Sequence, residues 1–189
     1  MLRRILIPFL CLLGLFCTLQ AQDAPGLKIA ALHPILGDMA RAIGGSHVQV
    51  ADLLRPNGNL HSFEPAPQDI AAAGQARLVL ASGKNLEPYL PKLKDALGGR
   101  AQILDLGASI PDVPVAADTA DHDHGHDGDC CAHGPNDPHW WHTPANMKRA
   151  ARALAAALTR MDPAHEQDYK AGLARWNRKM DQLSSWARK

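Results

Sequence analysis

Residues 77–106, RLVLASGKNLEPYLPKLKDALGGRAQILDL, hold two short apolar runs on either side of a stretch with helical spacing. Arg77 to Ser82 is a short apolar run of strand character, left through the tight Gly83-Lys84-Asn85 exit. The spacing then predicts a helix from Leu86 to Leu97, stopped by Gly98-Gly99, and a further strand from Ala101 to Leu106. The same alternation runs upstream. Leu27 to Leu32 reads as a buried strand, and Pro34 to Ile43 as a helix with Ile35, Leu36, Met39, Ala40 and Ile43 on one face. Gly44-Gly45 stops that helix, and Val48 to Leu54 is a second strand. The turn-rich Arg55-Pro56-Asn57-Gly58-Asn59 delivers Leu60-His61-Ser62-Phe63-Glu64-Pro65, and Pro67-Gln68-Asp69 opens an alanine-rich helix. Strands and helices alternating at this interval predict an α/β fold: right-handed βαβ units forming a three-layer lobe around a four-stranded parallel sheet. Ligands of such sheets bind beyond the carboxyl ends of the strands. His61 follows the second strand and a histidine-rich tract follows the fourth, so both are expected on one edge.

Outside this lobe the chain changes character at both ends. Arg3 and Arg4, the apolar run Ile5 to Leu19 and Gln20-Ala21 read as a secretory signal over residues 1–21, which places the mature protein in the periplasm. Neither Cys11 nor Cys17 is preceded by the small-residue pattern of a lipoprotein cysteine. The apolar run is too short for a comfortable membrane span, and no later segment offers one, so the protein is not expected to be integral to the membrane. With 20 basic and 19 acidic side chains, loss of Arg3 and Arg4 takes the net charge to 18 − 19 = −1. No basic surface is left for nucleic acid. At the other end, Pro144 to Met161 is a strong helix closed by Asp162-Pro163. From Ala164 onward, Tyr169, Leu173, Trp176, Met180, Leu183 and Trp186 mark a long amphipathic helix with more apolar face than a small lobe obviously buries.

Between these elements, residues 118–144 read DTADHDHGHDGDCCAHGPNDPHWWHTP, and six of the ten histidines fall between His122 and His142. Imidazole and thiolate are the ligands zinc prefers, so His122, His124, His126, Cys130, Cys131 and His133 form a divalent-metal tract by composition. Adjacent cysteines close a disulfide only under strain. Cys130 and Cys131 are therefore free thiols or a strained vicinal pair, and are read as auxiliary metal ligands. At the end of the tract, Asp137-Pro138-His139-Trp140-Trp141-His142 replaces flexible residues with a rigid proline and large aromatics that can hold His139 in one orientation. His61 has comparable support: Phe63 anchors its loop, Pro65 fixes its direction, and Glu64 is expected as an acceptor for an imidazole N–H. His33 is either a donor on the ligand edge or simply part of a strand exit. His47 and His165 are expected to be exposed, and Trp140 and Trp141 to serve packing.

The order of these motifs resembles the periplasmic zinc- and manganese-binding proteins of metal ABC transporters. Leu60 to Pro65 (LHSFEP), the histidine-rich loop and Asp137-Pro138-His139-Trp140 carry the resemblance. The stretches 31–45 (ALHPILGDMARAIGG) and 77–83 (RLVLASG) are also similar to that family. The resemblance implies two α/β lobes bridged by one long helix, with a metal in the cleft between them. Residues 22–161 would then be the first lobe with its loop at 118–136, and residues 162–189 the start of the bridging helix. It also implies that His61 and His139 are the first-lobe ligands, the others being a His or Glu and an Asp or Glu from a second lobe outside this sequence. The family often has an aliphatic residue and an acid after the tryptophan. Here stand Trp141-His142-Thr143, making His142 either a spare donor or an interface residue.

The function expected is therefore capture of Zn(II), with Mn(II) second, for delivery to the membrane permease of an ABC-type importer. Two imidazoles and a soft tract favour zinc over harder cations. A single-lobe zinc chaperone or buffer using the same residues is the alternative. A zinc hydrolase would need three protein ligands, an open water position and a base, and the sequence holds no HExxH motif.

Overall fold

The computed structural model describes residues 26–114 and 136–189. The signal segment, and His122, His124, His126, Cys130, Cys131 and His133, lie outside the described residues. Four strands, β1 (Leu27–Ala31), β2 (Val48–Asp52), β3 (Leu78–Ala81) and β4 (Gln102–Asp105), form one sheet in the order β2-β1-β3-β4. Every pairing is parallel.

Alternation along the strands sorts side chains into two cores, because successive residues of a strand face opposite sides of the sheet. Leu27, Ile29, Ala31, Leu78 and Leu80 face helices α1 (Pro34–Gly44), α4 (Pro144–Met161) and α5 (Glu166–Trp186). Ala30, Leu32, Val79 and Ala81 face α2 (Pro67–Gln75) and α3 (Leu90–Leu97), where Ala73, Leu93 and Leu97 are buried. The result is the expected three-layer α/β lobe followed by a long helix.

The third helix departs from expectation by starting at Leu90 rather than Leu86. Pro88 disfavours helical backbone at Glu87, and Pro91 suits a first helical turn. Glu87 instead turns inward, 4% exposed, and accepts the backbone N–H groups of Ser82 and Gly83 at 2.7 and 2.9 Å.

Helix α5 lies along α4 and α1. Its approach depends on Gly172, where a Cβ would stand 2.1 Å from the Ile43 carbonyl oxygen. Tyr169 is fully buried, and Leu173, Trp176 and Met180 are partly so. The excess apolar face is confined to the end of the helix, where Leu183 is 46% and Trp186 73% exposed. Among the described residues no helix is long and apolar enough to cross a membrane.

His47 and His165, expected to be exposed, are instead half-buried and stacked on each other with ring centres 3.8 Å apart. His165 pairs with Asp162 and His47 with Asp168, so the stack joins the start of α5 to the turn before β2. It lies at the amino-terminal edge of the sheet.

Candidate metal centre

The opposite, carboxyl-terminal edge gathers the other described histidines. The chain leaves β1 to one side for β2 and returns to the other for β3 and β4, so the crevice beyond β1 and β3 is the topological switch point. The turn 139–142 sits over this crevice. The Trp140 indole N–H donates to the Ser82 carbonyl at the end of β3, 3.0 Å away. The Trp141 ring packs on His33 at the end of β1, with centres 4.9 Å apart.

His33 is 6% exposed and caps α1, its Nδ1 accepting the Ile35 N–H at 3.1 Å. Burial pushes its pKa down to about 4, so the ring is neutral. An imidazole that accepts at Nδ1 carries its proton on Nε2, and neither nitrogen then has a lone pair for a metal. The cap is therefore the role of His33.

His139 is oriented from within its own turn. Oδ1 of Asp137 accepts both the backbone N–H of His139 at 2.9 Å and its ring Nδ1–H at 2.7 Å. These two hydrogen bonds, the backbone one first, hold the Asp137 carboxyl below the usual carboxylate range. An ionised carboxylate only accepts, so the ring proton sits on Nδ1 and Nε2 is left as the basic nitrogen.

Nε2 of His139 faces Nε2 of His61 at 3.3 Å, with the rings edge to face. His61 arrives on the loop after β2, where its backbone N–H donates to the Asn59 side chain. Phe63 packs edge-on against Tyr89, anchoring that loop as its apolar character suggested. Glu64, expected as the acceptor for an imidazole, is exposed and faces a shallow cavity bordered by Pro65, Ile70, Tyr89 and Lys92. The carboxylate that serves His139 is Asp137, which the sequence reading passed over. Its signal was the Asp two residues before the histidine, a spacing that favours local side-chain-to-backbone bonds.

His142 is exposed, with its ring centre 6.1 Å from that of His139. Trp140 is buried and Trp141 half-buried, the packing roles expected of them. Among the described residues no group of three or more His, Cys, Asp or Glu is placed to hold a metal ion. The turn is also tied to the far side of the tract, since Pro114 and Asn136 form an antiparallel bridge and Asp137 N donates to the Val113 carbonyl at 2.8 Å.

The chain that forms this lobe has known relatives. The sequence model of ZnuA, the periplasmic zinc-uptake complex component A, matches residues 29–189. The chain belongs to the ZnuA family. Curated relatives include the iron-binding protein YfeA of Yersinia pestis, 28% identical over 87% of this chain and 49% of that protein. They also include the manganese ABC transporter substrate-binding lipoprotein PsaA of Streptococcus anginosus, 26% identical over 97% of this chain and 59% of that protein. A crystal structure of ZnuA superposes with a TM-score of 0.71 at 27% identity, covering 85% of this chain and 56% of that one. The chain thus spans about half the length of the relatives it matches. The family is one of metal-binding, periplasmic substrate-binding proteins of ABC transporters.

Proposed function

We propose that this chain forms the first, metal-capturing lobe of a periplasmic protein that takes up Zn(II) and delivers it to the permease of an ABC-type importer. His61 and His139 are the two ligands this lobe contributes, and residues 162–189 begin the helix that leads towards a second lobe. The observation that carries the reading is the 3.3 Å separation of the two Nε2 atoms. Two imidazole nitrogens at about 2.0–2.1 Å from one tetrahedral zinc stand about 3.3–3.4 Å apart. Asp137 behind His139 supports it further, since carboxylate–histidine–metal triads are the usual means of orienting such a ligand. Imidazole donors favour zinc over manganese, which prefers oxygen. The tract of His122, His124, His126, Cys130, Cys131 and His133 is assigned an auxiliary role, with His142 a spare donor at the rim.

The test is chelator competition for Zn(II) and Mn(II) on the wild-type chain, His61→Ala and His139→Ala. Each substitution is expected to weaken zinc at least tenfold, with zinc bound more tightly than manganese throughout. Silent substitutions at both positions, or a preference for manganese, would overturn the assignment.

A further inference from the structure

Glu87 is a buried carboxylate that a metal-capturing role leaves without a task. It supports the exit turn of β3, since its two oxygens hold the N–H groups of Ser82 and Gly83. That turn is unusual. Gly83, Lys84 and Asn85 all have positive φ, at 74°, 52° and 61°, and two of them carry side chains. Non-glycine residues persist in this region only where their surroundings over-determine them. At Gly83 a Cβ would stand 1.9 Å from Asp105 Oδ1, so any other residue there would have to displace that carboxylate as well as adopt the positive φ.

Two connections run from this turn to His139. The Ser82 carbonyl accepts the Trp140 indole N–H, and the Gly107 N–H as well, both at 3.0 Å. Lys84 pairs with Asp112, and the neighbouring Val113 carbonyl accepts the N–H of Asp137, whose carboxylate holds the His139 ring. One turn therefore fixes the residues on both sides of His139.

We infer that Glu87 is a positioning residue for metal capture, setting the place of His139 through the β3 exit turn, the Ser82 carbonyl and Trp140. The inference rests on the assignment of His139 as a ligand. Glu87 touches no metal. It supplies two acceptors where the backbone of the turn offers donors, and a glutamine there would present an amide N–H to one of those donors.

The experiment uses the full chain as wild type and as Glu87→Gln, Trp140→Phe, His139→Ala and Leu158→Ala. Zinc affinity is measured by chelator competition, ligand geometry by the visible spectrum of the Co(II) complex, and stability by thermal unfolding without metal. Leu158 is fully buried on α4, about 20 Å along the helix from Pro144. Its truncation is a general destabiliser, expected to lower the unfolding midpoint and leave affinity and spectrum alone. Glu87→Gln and Trp140→Phe are each expected to weaken zinc ten- to hundredfold and to shift the Co(II) bands. If Glu87→Gln fails to fold, Trp140→Phe decides, since it removes one N–H and keeps an aromatic ring. Wild-type zinc binding in His139→Ala would bring down the ligand assignment and the inference together. Weakened binding in His139→Ala with wild-type binding and spectra in Glu87→Gln and Trp140→Phe would overturn the inference alone.

Discussion

Asp137 Oδ1 receives two hydrogen bonds from the same residue, the backbone N–H and the ring Nδ1–H of His139, at 2.9 and 2.7 Å. One carboxylate oxygen thereby fixes the backbone, the tautomer and the ring direction of the histidine that faces His61. Asp137→Ala frees the ring without touching the core, since Asp137 is exposed. The expected outcome is a ten- to hundredfold loss of zinc affinity with an unfolding midpoint close to wild type. Chelator competition beside thermal denaturation checks both halves, and unchanged affinity would mean that the ring needs no such support.

The tract makes a separate contribution. Pro114 and Asn136 are already bridged, so excision of residues 118–134 leaves the flanking backbone in register. The shortened chain should fold, keep its tighter class of zinc site and bind fewer ions in total, as read by native mass spectrometry and calorimetry. Loss of all tight binding on excision would move the site into the tract.

Packing of α5 turns on one residue. Because a Cβ at Gly172 meets the Ile43 carbonyl, Gly172→Ala must push α5 away from α1. A destabilisation of about 1–3 kcal/mol in urea unfolding is expected, typical of overpacking. A neutral substitution would show that α5 is not seated on α1 in solution.

Two buried groups give stability opposing pH dependences. Burial holds His33 down at about 4, below its ordinary 6.5. As pH falls through this window the unfolded chain takes up a proton that the folded one refuses, and stability is lost. Burial pushes Glu87 up to about 7 from 4.5, against the two N–H groups that favour its charged form. The folded chain then holds the extra proton, so the contribution is full below about 4.5 and is lost as pH rises to about 7. Between 4.5 and 6.5 the slopes oppose. Urea midpoints of the metal-free wild type should therefore vary little there from these groups. In Glu87→Gln they should fall as the medium is acidified. Identical profiles for the two proteins would contradict the burial of Glu87.

Much of this architecture was legible because its signals are local. The alternation of Leu78, Val79, Leu80 and Ala81, and the glycine pairs after Ile43 and Leu97, report elements directly. Parallel topology then put His61 and His139 on one edge before any distance was known. The remainder rests on local signals that compete with one another or on contacts between distant parts of the chain. The helical spacing from Leu86 to Leu97 makes Glu87 read as a helical residue, whereas Pro88 keeps it out of the helix and it turns inward onto Ser82 and Gly83. The stack of His47 on His165 joins distant parts of the chain. Glu64 stands out in the sequence by its adjacency to the His61 loop, whereas the carboxylate bonded to a histidine ring is Asp137, two residues before His139.

His61 and His139 are assigned as ligands of one zinc through their Nε2 atoms. Long-range proton–nitrogen NMR of the histidine side chains, recorded as zinc is added to the chain lacking residues 118–134, checks that assignment nitrogen by nitrogen. At one equivalent the Nε2 resonances of His61 and His139 are expected to move to metal-bound positions, while His33, His47 and His165 keep their metal-free shifts. Saturation with His61 or His139 unmoved, or with His33 among the ligands, would contradict it.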